Sequence, residues 1–171
     1  RAAIQAANTG HLVLSTLHTN SAAGVISRLT AMNIGSDDIA NASNLFMSQR
    51  LVRRICPQCK VTAPATLAEK EIIEKALKSL PQKDTLTKKM LLSHGKGCAA
   101  CNGTGFAGQI ALSETLLINK EISELIAHGG LVSEIEEKAI ANGMFTLVQD
   151  GILAVLDGTT TLEEVKRVTD L

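Results

Sequence analysis

The sequence predicts an α/β fold carrying a metal-tied insert and a helical C-terminal subdomain. Three observations carry the prediction. A nearly continuous apolar run, "HLVLSTL", is followed at once by a helix-capping Thr19-Asn20 pair. Four cysteines fall in two C-x-x-C pairs. Residues 119–171 read as a series of short amphipathic helices with Gly129, Gly143 and Gly158 between them.

Taken in order, "RAAIQAANTG" is Ala-rich and reads as the second half of a helix, so the chain looks like a piece of a longer protein. Asn8 and Gly10 suit the left-handed turn that closes such a helix. Leu12 to Leu17 then form the run expected of a strand covered on both faces of a parallel sheet. "SAAGVISRLTAM" follows at helical spacing. "SDDIANASNLFM" reads as another helix, with Ser36 or Asp37 as cap and acidic charge at its positive end. "QRLVRRI" alternates, with Leu51, Arg53 and Ile55 opposed to Arg50, Val52 and Arg54, as a half-buried strand does. Residues 60–97 are Lys- and Glu-rich and look like an excursion from the core. Within them Thr66 and Glu69 have capping-box spacing. "NGTGFAGQ" is a Gly-rich turn region, and "QIALSETLLI" returns to strand character. In the C-terminal third, Ser133 with Glu136 and Thr161 with Glu164 repeat the capping-box spacing.

Composition narrows the function classes. The 171 residues hold 17 basic and 17 acidic side chains, so no net field draws the chain to nucleic acid or anionic lipid. There is no Trp or Tyr and there are three Phe, which leaves almost no base-stacking platform. No apolar run approaches the roughly 18 residues that span a bilayer, and the start lacks a signal-peptide pattern. The expectation is a cytoplasmic location without membrane insertion and without a nucleic-acid partner.

The cysteines carry the strongest chemical signal. Cys56 and Cys59 in "CPQC", and Cys98 and Cys101 in "CAAC", stand 38 residues apart. Two residues between thiolates let a tight turn aim both sulfurs at one ion, and two such knuckles complete a tetrahedral shell. Zinc is the favoured ligand; iron in a rubredoxin-like site and disulfide or redox chemistry are the alternatives. Closed four-sulfur coordination leaves no open position for water, so the zinc would be structural. Gly103 and Gly105 suit the exposed amides that surround thiolate sulfur.

His11 and His18 flank the apolar run. Seven positions apart on a strand, they would face opposite sides and are not expected to act as a pair. His18 lies at the C-terminal edge, where α/β sheets bind ligands. On position alone an ordinary strand-end histidine bonded to backbone is the commoner reading. Arg28, Arg50, Arg53 and Arg54 could reach phosphate or a neighbouring subunit, or could be surface charge. His94 and His128 are assigned no role.

Together "TGHLVLSTLHTNSAAGVISRL", "QRLVRRICPQC", "GCAACNGTGFAGQIALSETLLI" and "GTTTLEEVKRVT" resemble the type II secretion and type IV pilus assembly ATPases over all but residues 60–97. The resemblance implies part of a RecA-like P-loop ATPase domain: the later strands and helices of its core in residues 1–55, a tetracysteine zinc insert in 56–101, a return strand in 102–118 and a helical subdomain in 119–171. It implies a homo-hexamer peripheral to the cytoplasmic side of the inner membrane, which works with a membrane platform protein and converts ATP hydrolysis into assembly of pilin or pseudopilin subunits.

The opening stretch is similar to that family's His box, which gives His18 a role as donor to, or sensor of, the ATP γ-phosphate; His11 is a further catalytic candidate or an organiser of the strand's other edge. The cysteines favour the assembly or secretion branch over retraction enzymes. No G-x-x-x-x-G-K-[ST] stretch and no acidic Walker B segment occur, so the groups that hold phosphate and magnesium are expected in preceding residues, and the piece alone is expected to be inactive. Ser21 stands where the family commonly has an acidic residue. A non-enzymatic zinc-binding interaction module is the rival reading.

Overall fold

The computed structural model describes residues 1–80 and 90–171; residues 81–89, part of the Lys-rich excursion, lie outside it. The chain divides into two compact units that interleave in sequence: residues 1–48 with 114–146, and residues 49–113 with 147–171.

The first unit begins with helix α1 (Ala2–Asn8), which ends at Thr9 and a left-handed Gly10, as its sequence predicts. Residues 11–18 do not follow as a paired strand. Among the described residues the sheets pair residues 45–55 with 106–117 and residues 60–64 with 91–95, and Leu12 and Leu14 are 87% and 89% exposed. An apolar run becomes a strand only where a neighbour takes its N–H and C=O groups, and no described strand does so here.

Helix α2 (Gly24–Ala31) starts later than the Thr19-Asn20 cap predicts. Ser21 does the capping work, its Oγ accepting the Gly24 N–H at 3.1 Å. Helix α3 (Ser36–Ala42) is preceded by Gly35 at the cap position rather than capped by Ser36 or Asp37, though Asp37 and Asp38 do lie at its positive end. It also stops short: Leu45, Phe46 and Met47, expected in the helix, open strand β1 (Leu45–Ile55). Helices α5 (Lys120–Ala127) and α6 (Val132–Ala141) complete this unit. Its core gathers Ile26, Leu29, Ile39, Leu116, Ile122, Ile126 and Ile135.

The second unit contains strands β2 (Lys60–Pro64) and β3 (Leu91–Gly95), which pair antiparallel from Lys60 opposite Gly95 to Pro64 opposite Leu91. Between them, helix α4 (Leu67–Ala76) begins with the expected capping box. Thr66 Oγ1 accepts the Glu69 N–H at 3.3 Å, and the Glu69 carboxylate accepts the Thr66 N–H at 2.7 Å. Strand β4 (Phe106–Leu117) pairs with β1. Along β1 the buried positions are Ser48, Val52 and Ile55, while Leu51 is 56% exposed, so the face carrying Ser48, Arg50 and Val52 turns inward until the strand's end, where Ile55 of the other face is buried.

Helices α7 (Leu147–Leu156) and α8 (Leu162–Val168) belong to this unit. Ile152 and Leu162 pack with Ala65, Ile73, Leu77 and Met90, so the excursion shares a core with the last two helices. A second cluster joins Val52, Leu112, Leu147, Val155 and Val165. Both clusters are aliphatic, which is what a chain without Trp or Tyr must use.

Candidate metal centre

The four cysteines converge as their spacing predicts. Strand β1 delivers Cys56 at its end, and the turn that follows places Cys59; Cys98 and Cys101 bracket a short 3-10 turn (Ala99–Cys101) just ahead of β4. All four sulfurs lie within 4.8 Å of one another. Sγ separations are 3.9 Å for Cys56–Cys98, 3.9 Å for Cys59–Cys101 and 3.7 Å for Cys98–Cys101. A tetrahedral ion with bonds of about 2.3 Å to sulfur sets neighbouring sulfurs about 3.8 Å apart, so these contacts fit one metal ion. They are far longer than the roughly 2.0 Å of a disulfide, and all four cysteines are free thiols.

The surrounding backbone treats the sulfurs as anions. Cys101 Sγ accepts the Cys98 N–H at 3.2 Å and the Gly105 N–H at 3.2 Å. Those amides, Cys98 first, hold the Cys101 thiol down to about 6. Burial pushes Cys59 up to about 12 against the opposing Gly97 N–H. An arriving cation would draw off the protons that the thiols still hold. Among the described residues the group holds four sulfurs and no other side chain, so an ion bound there would have no vacant position for catalysis by bound water.

Around this centre the structure adds two groups of contacts that spacing did not reveal. One is a glycine cradle: Gly95 and Gly97, in "HGKG" ahead of the second cysteine pair, come close to Gly105 and Gly103. The "GKG" run was the available signal. The other involves Arg53, whose guanidinium stacks 4.2 Å from the Phe106 ring centroid and bonds Glu164 at 2.7 Å. Arg53 is thus held within its own fold. Arg28 and Arg54 lie exposed, and an Arg50 nitrogen donates to the Gln49 carbonyl at 3.1 Å.

His11 and His18 are placed apart from the cysteines in sequence and are both exposed. His11 Nδ1 lies 3.1 Å from Thr9 Oγ1 and 3.3 Å from the Ala6 carbonyl, so it closes the end of α1. A cavity of about 350 Å³ adjoins the segment, with Val13, Ser15, Thr16, Leu17 and Thr19 in its wall; His18 is not among the lining residues. His128 Nδ1 sits 2.7 Å from the Glu124 carbonyl, a helix-end contact.

Comparison with known proteins gives the family. Residues 1–167 match the model for the type II/IV secretion system protein family. The type IV pilus assembly ATPase PilB of Thermus thermophilus is 42% identical over 95% of this chain and 18% of its own length. The type II secretion system protein E of Dickeya dadantii is 39% identical over 98% of this chain and 31% of its own length. The type II secretion system ATPase E of Vibrio cholerae is 36% identical over 98% of this chain and 31% of its own length. This chain thus spans under a third of each of these relatives. It belongs to the type II/IV secretion system protein family.

Proposed function

We propose that this chain is the C-terminal part of a RecA-like P-loop ATPase that powers assembly of type IV pili or type II secretion pseudopili. The observation that carries the reading is the family match over residues 1–167, in a chain whose four cysteines also converge on one metal-sized site. In the intact protein ATP with magnesium supplies the energy. The phosphate-binding and magnesium-binding groups would come from residues outside this chain, which has no G-x-x-x-x-G-K-[ST] stretch. This chain alone is therefore expected not to turn over ATP.

The roles proposed for this chain's residues come from the resemblance of the opening stretch to the family's His box and from the chemistry of the cysteine set. His18, exposed at the end of the apolar segment, would meet the γ-phosphate and stabilise charge developing there. His11, engaged with the end of α1, would orient the segment from its other end. The cysteines would hold structural zinc, since four thiolates in a closed tetrahedral set suit that ion and leave it no open site. A cytoplasmic homo-hexamer peripheral to the inner membrane, engaging a platform protein, is the assembly in which the reading places it.

The test is a longer polypeptide that includes the phosphate loop. It should hydrolyse ATP, and His18→Ala should lower turnover by on the order of 10²-fold, as loss of a transition-state donor does. Unchanged turnover would remove His18 from the mechanism.

A further inference from the structure

We propose that the backbone crossing of Gly95 against Gly105, continued by Gly97 against Gly103, sets the metal affinity of the four-cysteine centre. The proposal rests on reading that cluster as a metal site. Its substance lies in what the crossing does for the sulfurs. The Gly105 peptide faces both knuckles: its carbonyl accepts the Cys56 N–H at 2.9 Å, and its N–H donates to Cys101 Sγ at 3.2 Å. The Gly97 N–H donates to Cys59, and the Lys96 N–H ties to the Cys59 carbonyl at 3.1 Å. One glycine segment thus supports Cys59 of the first knuckle, and the other supports Cys56 and Cys101, one from each knuckle.

Both segments can do this only because they touch backbone to backbone. A methyl group on Gly95 would overlap the Gly105 carbonyl, and one on Gly105 would come within 2.6 Å of the Gly95 carbonyl. On Gly97 it would lie 2.5 Å from the Gly103 carbonyl. These obstacles are main chain, so no side-chain rotation relieves them. The Gly105 peptide would have to move, and with it the two hydrogen bonds that orient Cys56 and Cys101. Hydrogen bonds to metal-bound ligands typically account for about 10- to 100-fold in affinity. They also offset the charge of four thiolates around a divalent ion.

Gly95 and Gly108 separate steric crossing from backbone strain. Gly108 has φ +77°, as Gly105 does, but an added methyl there meets nothing within 4 Å. Gly95 lies outside the left-handed region, so its substitution tests the crossing alone.

The experiment measures zinc affinity of the chain by competition with a chromophoric chelator, and sulfur-to-metal charge-transfer bands after cobalt substitution. Gly95→Ala should weaken zinc binding about 10- to 100-fold and shift the cobalt bands, whereas Gly108→Ala should leave both at wild-type values. Equal affinity in Gly95→Ala and wild type overturns the proposal. A wild-type chain that takes up neither ion overturns the metal-site reading beneath it, a separate outcome. Circular dichroism checks folding. Should Gly95→Ala fail to fold, Gly97→Ala takes its place, and wild-type affinity in that variant is equally fatal.

Discussion

The Arg53 guanidinium and the Glu164 carboxylate meet at 2.7 Å, joining the end of β1 to helix α8 across 111 residues of sequence. Glu164 is 2% exposed and serves three donors: the Arg53 side chain, the Arg53 backbone N–H at 2.9 Å and Arg167 at 2.8 Å. A buried carboxylate is tolerable only with such partners. Its neighbours reinforce the joint, because Thr160 Oγ1 donates to the Arg53 carbonyl at 2.8 Å and the Ile55 N–H to the Thr159 carbonyl at 2.9 Å.

Glu164→Gln should therefore destabilise the second unit by about 2 kcal/mol at neutral pH, the scale of losing hydrogen bonds to charged groups. The Arg167 side chain, then burial acting in the opposite sense, then Arg53 leave the Glu164 carboxyl well below the usual carboxylate range, at about 2. A depressed acid contributes stability above its unfolded value of 4.5, and that contribution is lost as pH falls towards 2. The gap between wild type and Glu164→Gln in urea unfolding should accordingly shrink from pH 5 to pH 2. A gap that does not vary with pH would mean that the charge of Glu164 contributes nothing.

Metal removal should be costly. Binding energy of a structural ion in a four-thiolate site feeds directly into folding, about 10 kcal/mol or more in small zinc modules. Native mass spectrometry should find one metal ion per chain, and either a strong chelator or Cys101→Ser should release it and lower the melting temperature. Because the cysteine loops sit in the same unit as α4, α7 and α8, hydrogen exchange in those helices should quicken with release. Iron in place of zinc, or no ion at all, would refute the proposed ligand.

Much of this was legible in the sequence wherever the determinant is local. The Thr66–Glu69 capping box needs only four consecutive residues, and both of its arms are present. The cysteine pairs needed only their spacing. What failed depends on partners distant in sequence. Leu45 to Met47 fit a helix by composition, but pairing of β1 with β4 draws them into a strand. Residues 11–18 fit a buried strand, yet no described neighbour satisfies them.

Capping signals were also displaced by one or two residues. The Glu134 carboxylate takes the Leu131 N–H at 3.0 Å, so α6 opens there and not at the Ser133–Glu136 pair. Thr161 does accept the Glu164 N–H, at 3.4 Å, but the glutamate turns its carboxylate to the arginines. No local pattern distinguishes such a buried glutamate from a solvated one.

Glu136 presents the opposite electrostatic case in the first unit. Burial first, and the Glu114 carboxylate second, push its acid above the usual carboxylate value. Glu114 is 3% exposed and holds the Ala22 N–H at 2.7 Å, so it is the better anchored of the two. A raised acid costs stability as pH rises through its unfolded and folded values, because the unfolded chain ionises more readily. Glu136→Gln should then raise the melting temperature at pH 7 by on the order of one degree, with no gain below pH 4. Equal gains at both pH values would assign the effect to packing.

Gly151 decides between two opposing effects in helix α7. Exposed helix-interior glycine is worse than alanine by about 1 kcal/mol, so propensity alone predicts that Gly151→Ala stabilises. The site is buried, however, and a methyl there would lie 2.6 Å from Val165 Cγ1 and 3.1 Å from Leu112 Cδ1. Both neighbours are branched core side chains, fixed by the cluster they share with Val52 and Val155. Overpacking of this kind costs about 1–3 kcal/mol, which outweighs the propensity gain. The expected result is net destabilisation of about 1 kcal/mol in urea unfolding. Val165→Ala should relieve it, making the double variant more stable than the sum of the single effects. Strict additivity would show that α7 and α8 do not meet at Gly151.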